Sequence, residues 1–556
     1  MTLRKNSSTT AHPINPEPKR NILHLRIPFV LFLTTLFLSL PSAQAQLKIN
    51  SHTLKLNNVF SIISNLYVDS INENKLVEAA ILGALKELDP HSSYIPKEEV
   101  ERVNEPLEGS FEGVGIQFQI FEDTILVVQT ISGTPAEKVG VMPGDRIVYI
   151  NNDLVAGVKF QNSDVVKRLR GPRGSVVEVK IHRRGVKELM LFKITRDKIP
   201  INSIDASYMI DKETGYIRIN NFGSKTVQEY KEAFVKLRGQ GMQNLILSLQ
   251  GNGGGYMNAA IDLADEFLSA GQLVVYTEGA RQPKNVANAT SRGDFESGKL
   301  IILVDEYSAS ASEIVSGAVQ DWDRGIIIGR RSFGKGLVQR QIPLTDGSML
   351  RLTTSRYHTP TGRSIQKPYK DGVEKYQKDL EERFKHGEML TADSIQFPDS
   401  LKYKTLRLQR TVYGGGGIMP DIFVPIDTTK FTPYHRKIIS QGIMNKVSVQ
   451  YIEKNRADLK KCFTDFESFQ KRFKVGDELM DQLTGAATAE KIELNEAQYA
   501  ISKPLIQLQL KALIARDLWS VNEYYRIMDQ ENESLQAAIK LLNTPGQYER
   551  MLRKPD

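Results

Sequence analysis

The sequence predicts an α+β multidomain protein in which helices open and close the chain around a small β-rich module and an α/β core. Three observations carry this expectation. The 556 residues exceed what one hydrophobic core holds, which points to two to four domains. Between residues 199 and 427, apolar runs of buried-strand type alternate with helical periodicities, the pattern of a sheet covered by helices. Both flanks place apolar residues at i, i+3, i+4 and i+7, the spacing of amphipathic helices.

Residues 1–45 read as a secretory signal peptide. Basic residues precede an apolar run from Ile27 to Leu40, and Ala43-Gln44-Ala45 offers a small-x-small cleavage site before Gln46. The run is short for a membrane span. A retained N-terminal anchor is the alternative, and no cysteine follows the run to carry a lipid. The expected location is therefore the periplasm or cell envelope of a bacterium. Formal net charge is +8. Arg4, Lys5, Lys19, Arg20 and Arg26 against Glu17 account for +4 of it, so +4 remains beyond the leader. That balance, without a basic-aromatic cluster, excludes nucleic acid as the expected partner. Cys462 is the only cysteine, so no internal disulfide is possible, and its helical surroundings predict a semi-buried packing role. No HExxH or CxxC occurs, and neither a metal nor a cofactor is expected.

Residues 46–107 are expected to be helical, with Asp89-Pro90-His91 ending the second helix. Residues 108–198 alternate strand patterns with turns: SFEGVGIQFQI, TILVVQTI, a short DVVKRL helix and VVEVKIHR. The Gly113-Val114-Gly115-Ile116 loop and Pro143-Gly144-Asp145-Arg146-Ile147 together resemble a PDZ domain in permuted order. Such a groove takes a chain end as an added strand and holds its carboxylate on the amides of the glycine loop. Ile116, Phe118, Val166 and Leu169 are the expected apolar pocket for the last residue. The competing reading is that the glycines make only a tight turn and these side chains are core.

Residues 199–427 carry buried strands NLILSLQ, LIILVDE and GIIIG between helical stretches, then SMLRLTTSRYHTP and DIFVPI. A charged segment, 371–405, reads as a solvated helical insertion. Residues 428–556 are long amphipathic helices without visible chemistry, a packing or oligomerisation domain.

The chemistry gathers in Ile301–Gln339. Ser310 lies in Ser308-Ala309-Ser310-Ala311-Ser312, between strand LIILVDE and helix SEIVSGAV. There a serine projects from a strand-to-helix turn, and the free N–H of Ala311 can hold an oxyanion. Ser310-x-x-Glu313 also fits a capping box, in which the serine only caps the helix, and this segment alone favours that reading. Lys335 follows strand GIIIG between two glycines. A lysine deprotonates serine only when neutral, and lowering its usual value of about 10.4 to roughly 7–8 is within the reach of burial. Gln339, four residues on, can orient the amine without adding charge. The glycine run Gly251-Asn252-Gly253-Gly254-Gly255 can supply a second oxyanion donor, with Gly254 the candidate. Gly329 to Gly336 nearly matches a phosphate-binding P-loop, but lacks its final hydroxyl and is followed by a strand pattern. His358, in SRYHTPTG, lacks a G-x-S-x-G partner and reads as a strand residue.

In order, LDPHSSYI (88–95), the PDZ-like module, the glycine turn, SASASE (308–313), FGKG (333–336) and TPTGRSIQ (359–366) resemble the C-terminal processing peptidases, or tail-specific proteases. The resemblance implies an exported serine endopeptidase: Ser310 as nucleophile, Lys335 as general base, Gln339 beside it. It also implies an α/β serine-peptidase core, substrates with free C-termini and assembly through the terminal helices. One departure stands out. The family's glycine motif opens Asp-Leu-Arg, where this chain has Ser248-Leu249-Gln250. A catalytically inactive PDZ-bearing scaffold is the second reading that this departure supports.

Overall fold

The computed structural model describes residues 50–553, and the leader expected at 1–45 lies outside them. The chain divides after Val77 into two compact units. The first contains the helix Ser51–Leu66, whose N-terminus is capped by the Asn50 side chain accepting from His52 N–H at 3.3 Å. A further helix, Glu73–Lys86, follows in the chain.

Among the described residues, the second unit is built on three larger sheets and two two-stranded ones. Strand β1 (Ser93–Ile95) and the helix Lys97–Glu108 lead into β2 (Ser110–Gly113). The β-rich module follows as β3 (Ile116–Phe121), β4 (Thr124–Thr130), β5 (Arg146–Ile150), β6 (Asp153–Leu154), the helix Asn162–Leu169, β7 (Val176–His182) and β8 (Met190–Thr195). Its sheet runs β3-β4-β5-β7-β8, antiparallel throughout, with β6 on β5. The period-two pattern of β7 buries Val177, Val179 and Ile181. Strand β9 (Asp197–Pro200) returns to pair with β2. The module leans on the C-terminal helices through Gln129, which donates to the Trp519 carbonyl, and Arg146, which pairs with Glu453 at 2.9 Å.

The core contains β10 (Ile204–Met209), β11 (Thr214–Ile219), β12 (Asn244–Ser248), β13 (Leu273–Gly279), β14 (Gln282–Asn288), β15 (Leu300–Val304), β16 (Ile326–Gly329), β17 (Leu337–Pro343), β18 (Met349–His358), the hairpin β19 (Lys402–Lys404) and β20 (Thr411–Tyr413), and β21 (Ile422–Phe423). One sheet runs β10-β11-β12-β15-β16-β21 and is parallel except for β10–β11. It is covered on both faces, so its strands are continuous apolar runs. Leu245, Leu247, Leu300, Ile302 and Val304 face the helices Thr226–Gly239, Met257–Asp265 and Ala311–Asp321. Ile246, Ile301 and Leu303 face Leu535, Ala538 and Leu541 of the helix Glu533–Asn543. The end of the C-terminal region therefore closes one face of the core sheet. The remaining C-terminal helices form a core of their own around Phe469, Leu483 and Leu510.

Parallel order decides the placement of the candidate residues. β12, β15 and β16 are consecutive neighbours, so the three turns leaving their carboxyl ends, which carry Gly251–Gly255, Ser308–Ser312 and Ser332–Gly336, meet along one edge. Ligand sites form at such edges of open α/β sheets.

Three expectations need correction. The hairpin β13–β14, absent from the sequence reading, joins β18, β17 and β1 in a second sheet over the site. The charged segment is not simply solvated: Tyr376, Arg383 and Met389 are buried, and Arg383 donates to the carbonyls of Arg331 and Ser332. Its two short helices thereby clasp the lysine turn. Cys462 is exposed, because it falls on the outer face of the helix Ile443–Cys462.

The TPTGRSIQ segment is held by a buried ion pair. Arg363 and Asp321 are both fully buried and 2.6 Å apart. Arg363 also donates to Gln320 and the Tyr413 carbonyl, and Thr361 donates to Asp321. Removing one member strands the other charge in a dry interior. Arg363→Ala is expected to lower unfolding free energy by about 3–5 kcal/mol. Denaturant titration against the parent chain checks this, and an unchanged midpoint refutes it.

Candidate active site

Ser310 occupies the N-cap of the helix Ala311–Asp321, as the capping pattern expects, but in a conformation that capping does not require. Its φ of 56° and ψ of −109° lie outside the extended region where N-caps normally sit. A non-glycine residue held there costs about 1–3 kcal/mol and persists only where its surroundings fix it. The fixing contacts are explicit. Ser310 N–H donates to Glu313 Oε2 at 2.8 Å, and the Ser310 carbonyl accepts from Glu313 N–H, Ile314 N–H and the Tyr357 hydroxyl.

The other two serines of the run are committed elsewhere. Ser308 Oγ donates to the Leu249 carbonyl at 2.8 Å, and Ser312 Oγ donates to the Asn252 carbonyl at 2.9 Å. Both are fully buried. They stitch the serine turn to the glycine turn and leave the middle serine facing the cavity.

Glu313 has a larger part than the sequence reading gave it. It is fully buried and accepts four hydrogen bonds. Oε2 takes the N–H groups of Ser310 and Lys335, and Oε1 takes Gly334 N–H and Ser332 Oγ, all at 2.6–2.9 Å. Burial pushes its carboxyl up to about 7 in spite of those bonds. Tyr357, also buried, donates to the carbonyls of both Lys335 and Ser310, at 2.8 and 3.1 Å. Two side chains thus clamp the peptide groups of Ser310 and Lys335 from both sides. The Ser-x-x-Glu spacing was the one signal of this in the sequence.

Lys335 and Ser310 line one cavity of about 420 Å3, with Gln339, Arg351 and Gly253–Gly255 on its walls. Burial lowers the lysine from its ordinary value, and the Arg351 guanidinium adds to this; Glu313 and Asp89 oppose. Ser310 Oγ and Lys335 Nζ are not hydrogen-bonded to each other among the described residues. Gln339 turns its amide nitrogen to Thr353 Oγ1 at 3.2 Å rather than to the lysine. Thr353 in turn donates to Asp89 Oδ1 at 3.0 Å.

The LDPHSSYI segment is therefore part of the site. Asp89 accepts from the N–H groups of His91 and Ser92 and from Ser92 Oγ. Burial raises its carboxyl, but these bonds with that of Thr353 outweigh it and hold it below the ordinary range. His91 bonds the Tyr376 hydroxyl at 2.7 Å. Burial and the nearby Lys335 push His91 down to about 4, so the ring is neutral near pH 7.

In the glycine turn, Gly254 has φ 99°, and a Cβ there would come within 2.8 Å of Ser310 Cβ and the Ala309 carbonyl oxygen. Only glycine fits so close to the serine. Its N–H, expected to be free for an oxyanion, instead donates to Asn252 Oδ1 at 2.8 Å. The Asn252 side chain folds back on the turn and also donates to the Ile219 carbonyl. The N–H groups of Ala311, Gly253 and Gly255 have no such acceptor among the described residues.

In the β-rich module, β3 is the edge strand, beside a loop in which Gly115 has φ 84°. A Cβ at Gly115 would overlap Thr134, whose hydroxyl donates to the Gly115 carbonyl. Ile116, Phe118 and Val166 are partly exposed. Val114 and Leu169 are buried core residues, which corrects the reading of Leu169 as pocket lining; Val114 is expected to contribute its backbone amide, not its side chain. Leu169 follows Val165 by one helical turn, so both face the sheet, while Val166 sits on the next face. His358, at the end of β18, stacks on Tyr276 of β13 with ring centroids 4.7 Å apart. Among the described residues, no group of three or more His, Cys, Asp or Glu side chains is placed to hold a metal, and no helix is long and apolar enough to cross a membrane.

Comparison with known proteins adds the following. Residues 213–376 match the model of peptidase family S41, and residues 103–182 match a PDZ domain. Residues 39–99 match an activating protease CtpB N-terminal domain, and 434–520 a family of unknown function (DUF8443). The chain is 37% identical over 317 residues to a carboxy-terminal-processing protease of Bartonella bacilliformis, covering 56% of this chain and 72% of that protein. It is 32% identical over 338 residues to carboxy-terminal processing protease CtpB of Bacillus subtilis, covering 60% and 69%. Among solved structures, a photosystem II D1 C-terminal processing protease shares 29% identity over 57% of this chain and 90% of that one, at a TM-score of 0.31.

Proposed function

The chain belongs to the carboxy-terminal processing proteases of peptidase family S41, and on that premise we propose a Ser310–Lys335 endopeptidase that selects protein tails. As a member it is a serine-type protease with a PDZ domain. The single observation that carries the residue assignment is the shared oxygen of Glu313. One carboxylate oxygen binds the N–H of Ser310 and that of Lys335, so the two turns are fixed to each other.

In the proposed mechanism Ser310 Oγ attacks the scissile carbonyl carbon while neutral Lys335 Nζ takes its proton. Ala311 N–H and the glycine turn stabilise the oxyanion, with Gly254 available as a donor once Asn252 releases its N–H. The tetrahedral adduct collapses, the C–N bond breaks, and the lysine returns the proton to the leaving amine. Water, deprotonated by the same lysine, then cleaves the acyl-enzyme. The hydroxyl and amine come together when substrate fills the cavity, as catalytic bonds commonly tighten on binding. Gln339 orients the amine through its free amide oxygen.

The PDZ domain captures the substrate's C-terminus as a strand added to the edge of β3. The amides around Gly113, Val114 and Gly115 receive the carboxylate, beside Ile116, Phe118 and Val166. Amidating a tailed substrate removes one charge and its charge-assisted bonds, worth about 1.5–3 kcal/mol. Capture is expected to weaken about tenfold to a hundredfold. Titration of the Ser310→Ala protein with free and amidated peptides measures this, and equal affinities remove carboxylate recognition.

The pattern of residues 1–45 supports export to the periplasm or envelope. Exposed Leu54, Ile62 and Leu66 on the helix Ser51–Leu66 support self-association through the N-terminal helices.

A further inference from the structure

We propose that Arg218, held by the C-terminal helical region, is a positioning residue for the glycine turn beside Ser310. The inference rests on the Ser310 reading and extends it to a part of the chain where sequence showed no chemistry.

The turn from Gln250 to Gly255 has four glycines in six residues, so its own backbone contributes little rigidity. Yet its amides must stand within a fraction of an ångström of a reacting oxygen. Its later part is fixed by Asp305, which accepts from Gly251 N–H, and by Asn252, which donates to the Ile219 carbonyl. Its start is fixed by Arg218. This residue lies on β11 directly opposite Ser248 on β12. Its guanidinium donates to the Gln250 carbonyl at 2.9 Å and to Ser248 Oγ at 3.4 Å.

An arginine thus reaches the opening of the turn from the neighbouring strand, at the place where the Asp-Leu-Arg pattern departs to Ser248-Leu249-Gln250. The Gln250 side chain points the other way and accepts from Asn532 Nδ2 at 2.8 Å. Asn532 is itself fixed, as the N-cap of the helix Glu533–Asn543, by accepting from Leu535 N–H.

The C-terminal region also encloses Arg218. The Tyr525 ring lies 4.5 Å from the guanidinium carbon, within cation–π range. Asp529, four residues on, accepts from the Tyr208 hydroxyl, and Asn522 accepts from Ser207 N–H, so this stretch is bonded to the outer strand β10 as well. Two contacts, Arg218 on the Gln250 carbonyl and Asn532 on its side chain, therefore transmit the packing of the C-terminal helices to the turn that faces Ser310.

The test uses the full chain with Arg218→Met, Arg218→Lys and Asn532→Ala. Active serine is counted by covalent labelling with a fluorophosphonate, and kcat and KM are measured on an unfolded protein with a free tail. Per labelled serine, Arg218→Met is expected to lose about tenfold to a hundredfold in kcat, since small misplacements of a catalytic group cost that much. KM is expected to hold within about twofold, because tail capture lies elsewhere. Arg218→Lys, which keeps the charge but loses the planar fork, falls between Met and parent. Asn532→Ala, at a partly exposed position, lowers kcat in the same sense and decides the matter if Arg218→Met does not fold. The acid limb of the pH profile stays in place in all three, because Lys335 is untouched. Parent kcat per labelled serine in the folded variants overturns the proposal. If Ser310→Ala itself retains activity, the underlying assignment fails instead.

Discussion

Ser310→Ala is expected to lower peptide cleavage by at least about 10³-fold while leaving the fold and tail capture intact. In the proposed mechanism the hydroxyl is the atom that forms the acyl-enzyme, and nothing nearby replaces it, since Ser308 and Ser312 are buried and bonded to backbone carbonyls. Lys335→Ala is expected to lose a similar factor. The double variant should be no worse than either alone, because nucleophile and base act as one unit. Lys335→Arg should also be inactive: a guanidinium stays protonated and takes no proton from serine. The sign of the pH dependence follows. In that mechanism the lysine works as the neutral amine, and burial with Arg351 lowers its value from 10.5. Activity is therefore absent well below that lowered value and rises as pH increases through it. Cleavage of an unfolded protein from pH 5 to 10, normalised to folded enzyme, measures these effects. A Ser310→Ala rate equal to the parent's removes the nucleophile, and a flat profile removes the lysine.

Much of this site could be read from the sequence because its parts sit at the ends of strongly apolar strands. LIILV and GIIIG are buried runs, and the serine and glycine-lysine turns that follow them are local features. The partners of those turns were hidden because they depend on tertiary placement. Glu313 fitted a local capping pattern, so its second use, binding the lysine turn from 21 and 22 residues away, left no mark in spacing. Tyr357 and Asp89 look like an ordinary strand residue and a helix stop until β18 and β1 pair over the cavity. The hairpin β13–β14 escaped because its second strand, QPKNVAN, is polar and largely exposed. The insertion escaped for the opposite reason: charged composition concealed that Arg383 is buried against the lysine turn. Leu169 shows a further limit. Apolar spacing identifies the inner face of a short helix but does not separate groove from core.

Glu313→Gln is the substitution expected to cost most without touching a reacting atom. The carboxylate accepts two hydrogen bonds on each oxygen, whereas an amide offers one accepting oxygen. Either the Ser310 and Lys335 N–H groups or the Gly334 and Ser332 donors then face an NH2 group. Each unsatisfied buried donor costs about 1–3 kcal/mol, and the serine and lysine turns lose their common anchor. A fall of about 10²-fold or more in kcat is expected from misplacement alone. The two pH dependences carry opposite signs. The folded-state carboxyl is raised to about 7 from 4.5, so its contribution to stability is fully present below 4.5 and is lost as pH rises through about 7. Activity needs the ionised form, the only one that accepts all four bonds, and grows as pH rises through about 7. Removing the charge also takes away an influence that raises Lys335, so the residual activity of Glu313→Gln should have its acid limb at lower pH. Its unfolding free energy should lose the decline between pH 4.5 and 7. Parallel rate and denaturation profiles of variant and parent decide the point: unchanged curves would show that this buried carboxylate neither joins the two turns nor sets the charge felt by the lysine.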